Sequence, residues 1–231
     1  MANLLPEYLF ADPIGPALQG PHRHLAIRTG LACRYPADVA PFAALAEPTT
    51  AAMEQLRSLL EPDESVWLFG ADQPPAPGLV FAERMVCPQM ALPPRFEPPA
   101  PPADIVALTG ANAHEMVALT DLAFPGFFRP RTHSMGSYYG VRSPSGELIA
   151  MGGERLKLDR YAEISAVCTH PSFRGRGLAE SIIWQVVLQH RREGIRSFLH
   201  VGKANSRAIA LYQRLGFVIC REITITRVVR A

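Results

Sequence analysis

The sequence predicts a mixed α+β chain: a mostly antiparallel mixed sheet with helices on both faces, preceded by a smaller α/β domain. Three observations lead there. Prolines crowd into Pro93-Pro94 and Pro98-Pro99-Ala100-Pro101-Pro102, a stretch that cannot donate to a helix or sheet ladder and so marks a linker. After it, strand-compatible runs follow one another across short turns, as in antiparallel hairpins. Finally, from Gly177 the apolar period changes to that of a helix, and strand, helix and strand alternate to the end.

These boundaries give an N-terminal domain over 1–92, a linker over 93–103 and a second domain over 104–231. In the first, Met53, Leu56, Leu59 and Leu60 predict a helix from Pro48 through Leu60. Val66 to Phe69 and Glu83 to Met90 read as strands around a loop from Gln73 to Gly78. His22 and His24 have no carboxylate or cysteine neighbour that would make them a metal site. The second domain opens with a strand at Ile105–Leu108 and a helix from Asn112 to Leu122, then an aromatic segment from Phe124 to Arg131. Ser137–Arg142 and Leu148–Leu156 form a hairpin around Ser143-Pro144-Ser145-Gly146, and Tyr161–Thr169 adds a third strand. Leu178, Ile182 and Val186 form a helical stripe closed by Gly194, Ser197–Val201 is a strand, and a helix from Ser206 to Leu215 stops at Gly216. Phe217 to Val229 is one bent strand or two short ones.

Composition narrows the partners. Of 231 residues, 48% are hydrophobic and 19% charged, a globular balance. Lysine plus arginine (23) exceeds the acids (21) by two, which predicts neither a nucleic-acid nor a membrane partner. Cys33, Cys87, Cys168 and Cys220 are widely spaced, so reduced thiols are expected rather than a disulfide framework or a metal site. Met1 to Gly20 lacks a basic start and an apolar core, and no run approaches the ~18 apolar residues of a membrane span, so a cytoplasmic location is expected.

Two motifs carry chemistry. Arg174-Gly175-Arg176-Gly177-Leu178-Ala179 joins a strand to a helix. Its glycines permit a tight turn, and the free N–H groups at the helix start then face an anion with the positive end of the dipole behind them. One strand later comes Asn205-Ser206-Arg207-Ala208-Ile209-Ala210-Leu211-Tyr212-Gln213-Arg214-Leu215-Gly216-Phe217. In this order the pair resembles the GNAT superfamily of acyl-CoA-dependent N-acetyltransferases, over roughly Asp104 to Arg230.

The resemblance implies a GNAT-like sheet, acetyl-CoA as co-substrate, no metal, and direct attack by a primary amine of a small molecule or peptide. Val167, Cys168 and Thr169 would offer backbone groups to the pantetheine arm, and Arg174 through Ala179 would hold the pyrophosphate. Asn205 would bond the arm from the other side, cap its helix, or do both. Tyr212 would protonate the departing thiolate, with a core tyrosine as the alternative; Glu163 would act as general base or face solvent. Lys203, Arg207, Arg191 or Arg192 would reach the 3′-phosphate. Phe127, Phe128 and Arg131 would line an apolar or anionic acceptor site, with His200 on the same side. Two rival readings are a module that senses acyl-CoA without turnover and an acyltransferase for longer acyl groups, close to the glycine N-acyltransferase branch. The N-terminal domain reads as a degenerate copy of the same half or as a structural extension, and a homodimer is left open.

Overall fold

The computed structural model describes residues 11–70, 72–94, 99 and 104–231. Most of the proline-rich linker, 95–98 and 100–103, lies outside the described residues. The chain runs α1 (Ile14–Gln19), β1 (Ile27–Thr29), β2 (Ala32–Arg34), β3 (Phe42–Leu45), α2 (Thr50–Ser58), β4 (Ser65–Phe69) and β5 (Leu79–Ala91). Beyond the linker follow β6 (Ile105–Leu108), α3 (Ala113–Asp121), β7 (Tyr138–Arg142), β8 (Leu148–Leu158), β9 (Tyr161–Thr169), α4 (Leu178–Arg192), β10 (Arg196–His200), α5 (Ser206–Arg214) and β11 (Val218–Arg230).

Every element named from the sequence is present, with ends shifted by a few residues. α1 and β1 to β3 were not foreseen, because runs of three to six residues carry too little periodicity to register. The last segment is one strand of 13 residues. Its register shifts between Ile219 and Arg221 and between Arg227 and Val228, which lets a long strand bend and still pair.

All strands join one sheet in the order β1-β2-β3-β4-β11-β5-β10-β9-β8-β7-β6. Among the described residues only β3 with β4 and β9 with β10 run parallel. The portions on either side of the linker therefore share one sheet, and each inserts a strand into the other: β5 lies between β10 and β11, and β11 lies between β4 and β5. Helices cover the sheet where the apolar stripes direct. Ile183, Val186 and Val187 of α4 pack with Ile164, Leu199 and Phe217. Met116 and Leu119 of α3 pack with Leu108, Met151 and Cys168. Another buried cluster joins Phe42, Phe69 and Cys87 to Leu156, Phe198 and Ile223, so apolar burial crosses between the portions. All four cysteines are free thiols, three of them buried.

Candidate active site

The site forms where two parallel strands part. β9 and β10 pair only from Tyr161–Arg196 to Glu163–Phe198, after which Leu199 and His200 pair with Met90 and Gln89 of β5. On its other edge β9 shifts register against β8 between Ser165 and Cys168, and Ala166 sits at φ 56°. That left-handed residue within a strand produces a bulge, a device that re-aims the backbone beside a site. The separation opens two connected spaces.

The outer groove, about 560 Å³, is lined by Val167, Cys168, Thr169, Arg174, Gly175, Gly177, Leu178 and Ala179 on one side and Asn205, Arg207 and Tyr212 on the other. Gly175 and Gly177 both have positive φ, and a Cβ added at either would meet nothing within 4 Å, so backbone and open space face each other there. Gly177 is the N-cap of α4 with no side chain capping it, which leaves the first-turn N–H groups for an anion. Arg176 stacks over the Phe173 ring at 5.0 Å, beside the turn. Glu180 in that first turn would repel an anion, but Arg214 pairs with it at 3.2 Å. These features fit the pyrophosphate of a CoA-type ligand. Asn205 both lines the groove and caps α5, its side chain accepting from Ala208 N–H at 3.1 Å. Of the cations considered for a 3′-phosphate, Arg207 lines the groove, whereas Lys203 pairs with Glu222 at 2.8 Å.

The inner cleft, about 260 Å³, begins where the groove ends: Phe124, Val167, Asn205, Ala208 and Tyr212 line both. The Tyr212 hydroxyl has no hydrogen-bond partner among the described residues, although its ring packs edge-on against Phe217 at 5.9 Å. Burial, helped by the negative charge of Glu163, pushes its phenol up to about 12, so it keeps its proton at neutral pH. Deeper in stand Phe42, Phe69, Phe127, Phe128 and Tyr138. Phe127 stacks on Trp67 at 5.6 Å and Phe69 meets His200 edge-on at 5.3 Å.

A buried ionic cluster borders this cleft. Arg155 donates through Nε and Nη2 to both oxygens of Glu163 at 2.8 and 2.6 Å, and its guanidinium lies 4.7 Å over the Phe42 ring. His200 donates from Nδ1 to Glu163 at 2.8 Å, and its Nε2 then accepts from the Gln89 amide at 3.0 Å. Burial alone would raise the Glu163 carboxyl, yet Arg155 and His200 outweigh it and hold the group well below the ordinary carboxylate range. Glu163 is fully buried and held on both oxygens, so it does not face solvent, one of the two readings expected for it. Arg131 also departs from expectation. Phe127 and Phe128 line the cleft, but Arg131 pairs with Asp38 at 3.2 Å on the surface, since its own N–H bonds the Asp38 carbonyl and directs the turn there. His200 does line the cleft, and His170 instead caps the turn before the cradle through Ser172 N–H.

Sequence reasoning missed Arg155, Gln89, Tyr138, Phe42 and Phe69. Arg155 stands within a predicted strand eight residues before Glu163, a signal of a cross-strand pair; the register shift between Glu154 and Lys157 hides which residues meet. Among the described residues no cluster of His, Cys, Asp and Glu could hold a metal, and no helix is long and apolar enough to cross a membrane.

Comparisons with known proteins agree with this geometry. The model of the FR47-like protein family matches residues 138–225, from β7 into β11. A solved structure from Novosphingobium aromaticivorans DSM 12444, assigned to the GNAT family of acetyltransferases, is 34% identical, with a TM-score of 0.87 over 96% of this chain and 98% of that one. A GCN5-related N-acetyltransferase from Kribbella flavida shares the fold at 20% identity and a TM-score of 0.63, covering 95% of each chain. A Drosophila protein structure does so at 17% identity and a TM-score of 0.58, over 84% of this chain and 73% of that one. Among curated protein sequences none matches. With that identity across nearly the whole chain, the protein belongs to the GNAT family and is an acyltransferase that draws its acyl group from an acyl-CoA.

Proposed function

We propose that this protein transfers an acetyl group from acetyl-CoA to a primary amine by direct attack, with donor and acceptor bound together. The observation that carries this reading is the junction of the two spaces at Tyr212, Val167 and Asn205. A donor lying in the groove brings its thioester to that junction and supplies an activated acyl carbon. The cradle from Arg174 to Ala179 would hold the pyrophosphate, while Val167, Cys168, Thr169 and Asn205 would hold the pantetheine arm.

The acceptor nitrogen enters from the inner cleft, forms the new C–N bond as the C–S bond breaks, and gives up one proton. Tyr212 keeps its proton through neutral pH and can pass it to the thiolate as the C–S bond breaks, its phenolate then taking up the proton that the amine nitrogen gives up. Glu163 serves as a positioning residue, fixing His200 and Arg155 at the cleft. We also read residues 11–92 as a degenerate copy of the second portion: both run meander, helix and parallel strand, and the first contributes Phe42 and Phe69 to the acceptor side.

Charge reversal of Arg174 and Arg176 together is expected to weaken CoA binding by at least tenfold in calorimetry. Unchanged affinity removes the cradle from the donor site. Tyr212→Phe is expected to lower kcat about tenfold or more with little change in CoA affinity, and wild-type turnover in that variant removes Tyr212 from the chemistry.

A further inference from the structure

The inner cleft contains more donors than the protein uses. Arg155 spends Nε and Nη2 on Glu163, while Nη1 has no partner among the described residues and the side chain remains 15% exposed along the cleft. Tyr138 also lines the cleft; its ring packs edge-on against Phe128 at 5.4 Å, and its buried hydroxyl has no hydrogen-bond partner among the described residues. A buried hydroxyl left unpaired is costly, so it marks a place where a ligand atom belongs. Both groups are donors, and Arg155 cannot accept. The group that satisfies two such donors best is an ionised carboxylate, which only accepts.

The remaining surface is apolar. Phe42, Phe69 and Phe127 supply aromatic walls, and the volume of about 260 Å³ falls below the ~300–1,000 Å³ of sites that take drug-sized ligands. A small ligand with one sizeable apolar group fits that space. Among the described residues no Asp or Glu lines the cleft. An amine that must be neutral to attack therefore finds no carboxylate there to take its proton. The α-amine of an amino acid loses its proton more readily than a lysine side chain, which needs about pH 10.4.

We propose that the acceptor is a free hydrophobic α-amino acid, aromatic above all, with its side chain against the phenylalanine walls, its carboxylate on Arg155 and Tyr138, and its α-amine directed at the thioester near Tyr212. This rests on the acetyl-CoA reading above. Transfer makes the N-acetyl amino acid: the C–S bond breaks as the α-nitrogen bonds the acetyl carbon, Tyr212 protonates the departing CoA thiolate, and its phenolate takes back the proton that the nitrogen loses.

The test measures CoA release from acetyl-CoA with L-phenylalanine, phenethylamine and glycine as acceptors, alongside calorimetric binding of CoA. The kcat/KM for L-phenylalanine is expected to exceed that for phenethylamine, which lacks the carboxylate, and that for glycine, which lacks the ring, by about tenfold or more each. Tyr138→Phe removes an oxygen that no protein group bonds and keeps the ring, and should cut the preference for L-phenylalanine over phenethylamine about threefold to tenfold. CoA binding with no preference among the three amines, or an unchanged preference in Tyr138→Phe, overturns this inference and leaves the donor reading standing. Absence of CoA binding overturns both.

Discussion

The portions before and after the linker follow the same course and part at their helices. Each runs through an antiparallel meander, β1-β2-β3 or β7-β8-β9, into a helix and then a strand parallel to the last of the three. In the first portion Thr49 caps α2, its hydroxyl accepting from Ala52 N–H at 3.2 Å, so that donor at the helix start is used internally. In the second, Gly177 provides no side chain and the start of α4 stays open. A second difference follows the parallel strand. α5 with Tyr212 lies between β10 and β11, whereas the described residues between β4 and β5 form no helix. The same wiring thus yields an uncapped helix terminus in one portion and a capped one in the other. What the closed portion contributes is wall: Phe42, Phe69 and Met85 face the cleft, and Gln89 holds His200.

The strongest way to break this comparison is to separate the portions. Residues 104–231 expressed alone would lack β5, leaving β10 and β11 without the strand between them. We expect no cooperative thermal transition by circular dichroism and no CoA binding; a folded, CoA-binding fragment would show that the portions are independent.

The next largest effect concerns the ionic cluster at their seam. Arg155→Ala leaves Glu163 fully buried without its main partner, and should cost about 3–5 kcal/mol in urea unfolding. Glu163→Gln tests the same contact through pH. Because the folded-state carboxyl is held below its unfolded value of about 4.5, its stabilisation is complete above that pH and is lost as pH falls through the lower folded value. Stability of the parent protein should therefore drop between about pH 4.5 and about pH 2, and the variant should show a shallower acid slope over that window. Equal slopes would mean that Glu163 is not the group being titrated.

The smallest effects lie at the helix starts. Thr49→Ala should cost about 1 kcal/mol in chemical unfolding with no change in CoA affinity. Gly177→Ala meets no steric obstacle but must hold φ 75°, a strain of about 1–2 kcal/mol. It should also weaken CoA binding by distorting the cradle. Weaker CoA binding in Thr49→Ala would instead show that the first portion's helix terminus takes part in donor binding.

How much could be read in advance depended on the distance along the chain between interacting groups. The strand Tyr161–Thr169 and the helix stripe beginning at Leu178 were legible because period-2 and period-3.6 patterns are local. The bulge at Ala166 was not, since alanine carries no preference for positive φ and only pairing to β8 imposes it. Glu163 was named as a general base or as facing solvent, and the fold buries it. Its ionisation depends on Arg155 and His200, and the latter lies 37 positions away. Arg131 failed for the same reason: Asp38, 93 positions distant, draws it to the surface.

The groove we propose for the donor was determined by the sequence itself, because Arg174 to Ala179 and Asn205 to Phe217 are contiguous segments whose turn glycines, helix start and tyrosine act locally. The inner cleft we propose for the acceptor was decided only by the tertiary structure. Phe42, Phe69, Tyr138, Arg155 and His200 meet because β5 and β11 each insert into the other portion's part of the sheet. A strand's alternation specifies which face it buries, while the choice of neighbouring strand and its register rests on burial and pairing across the whole sheet.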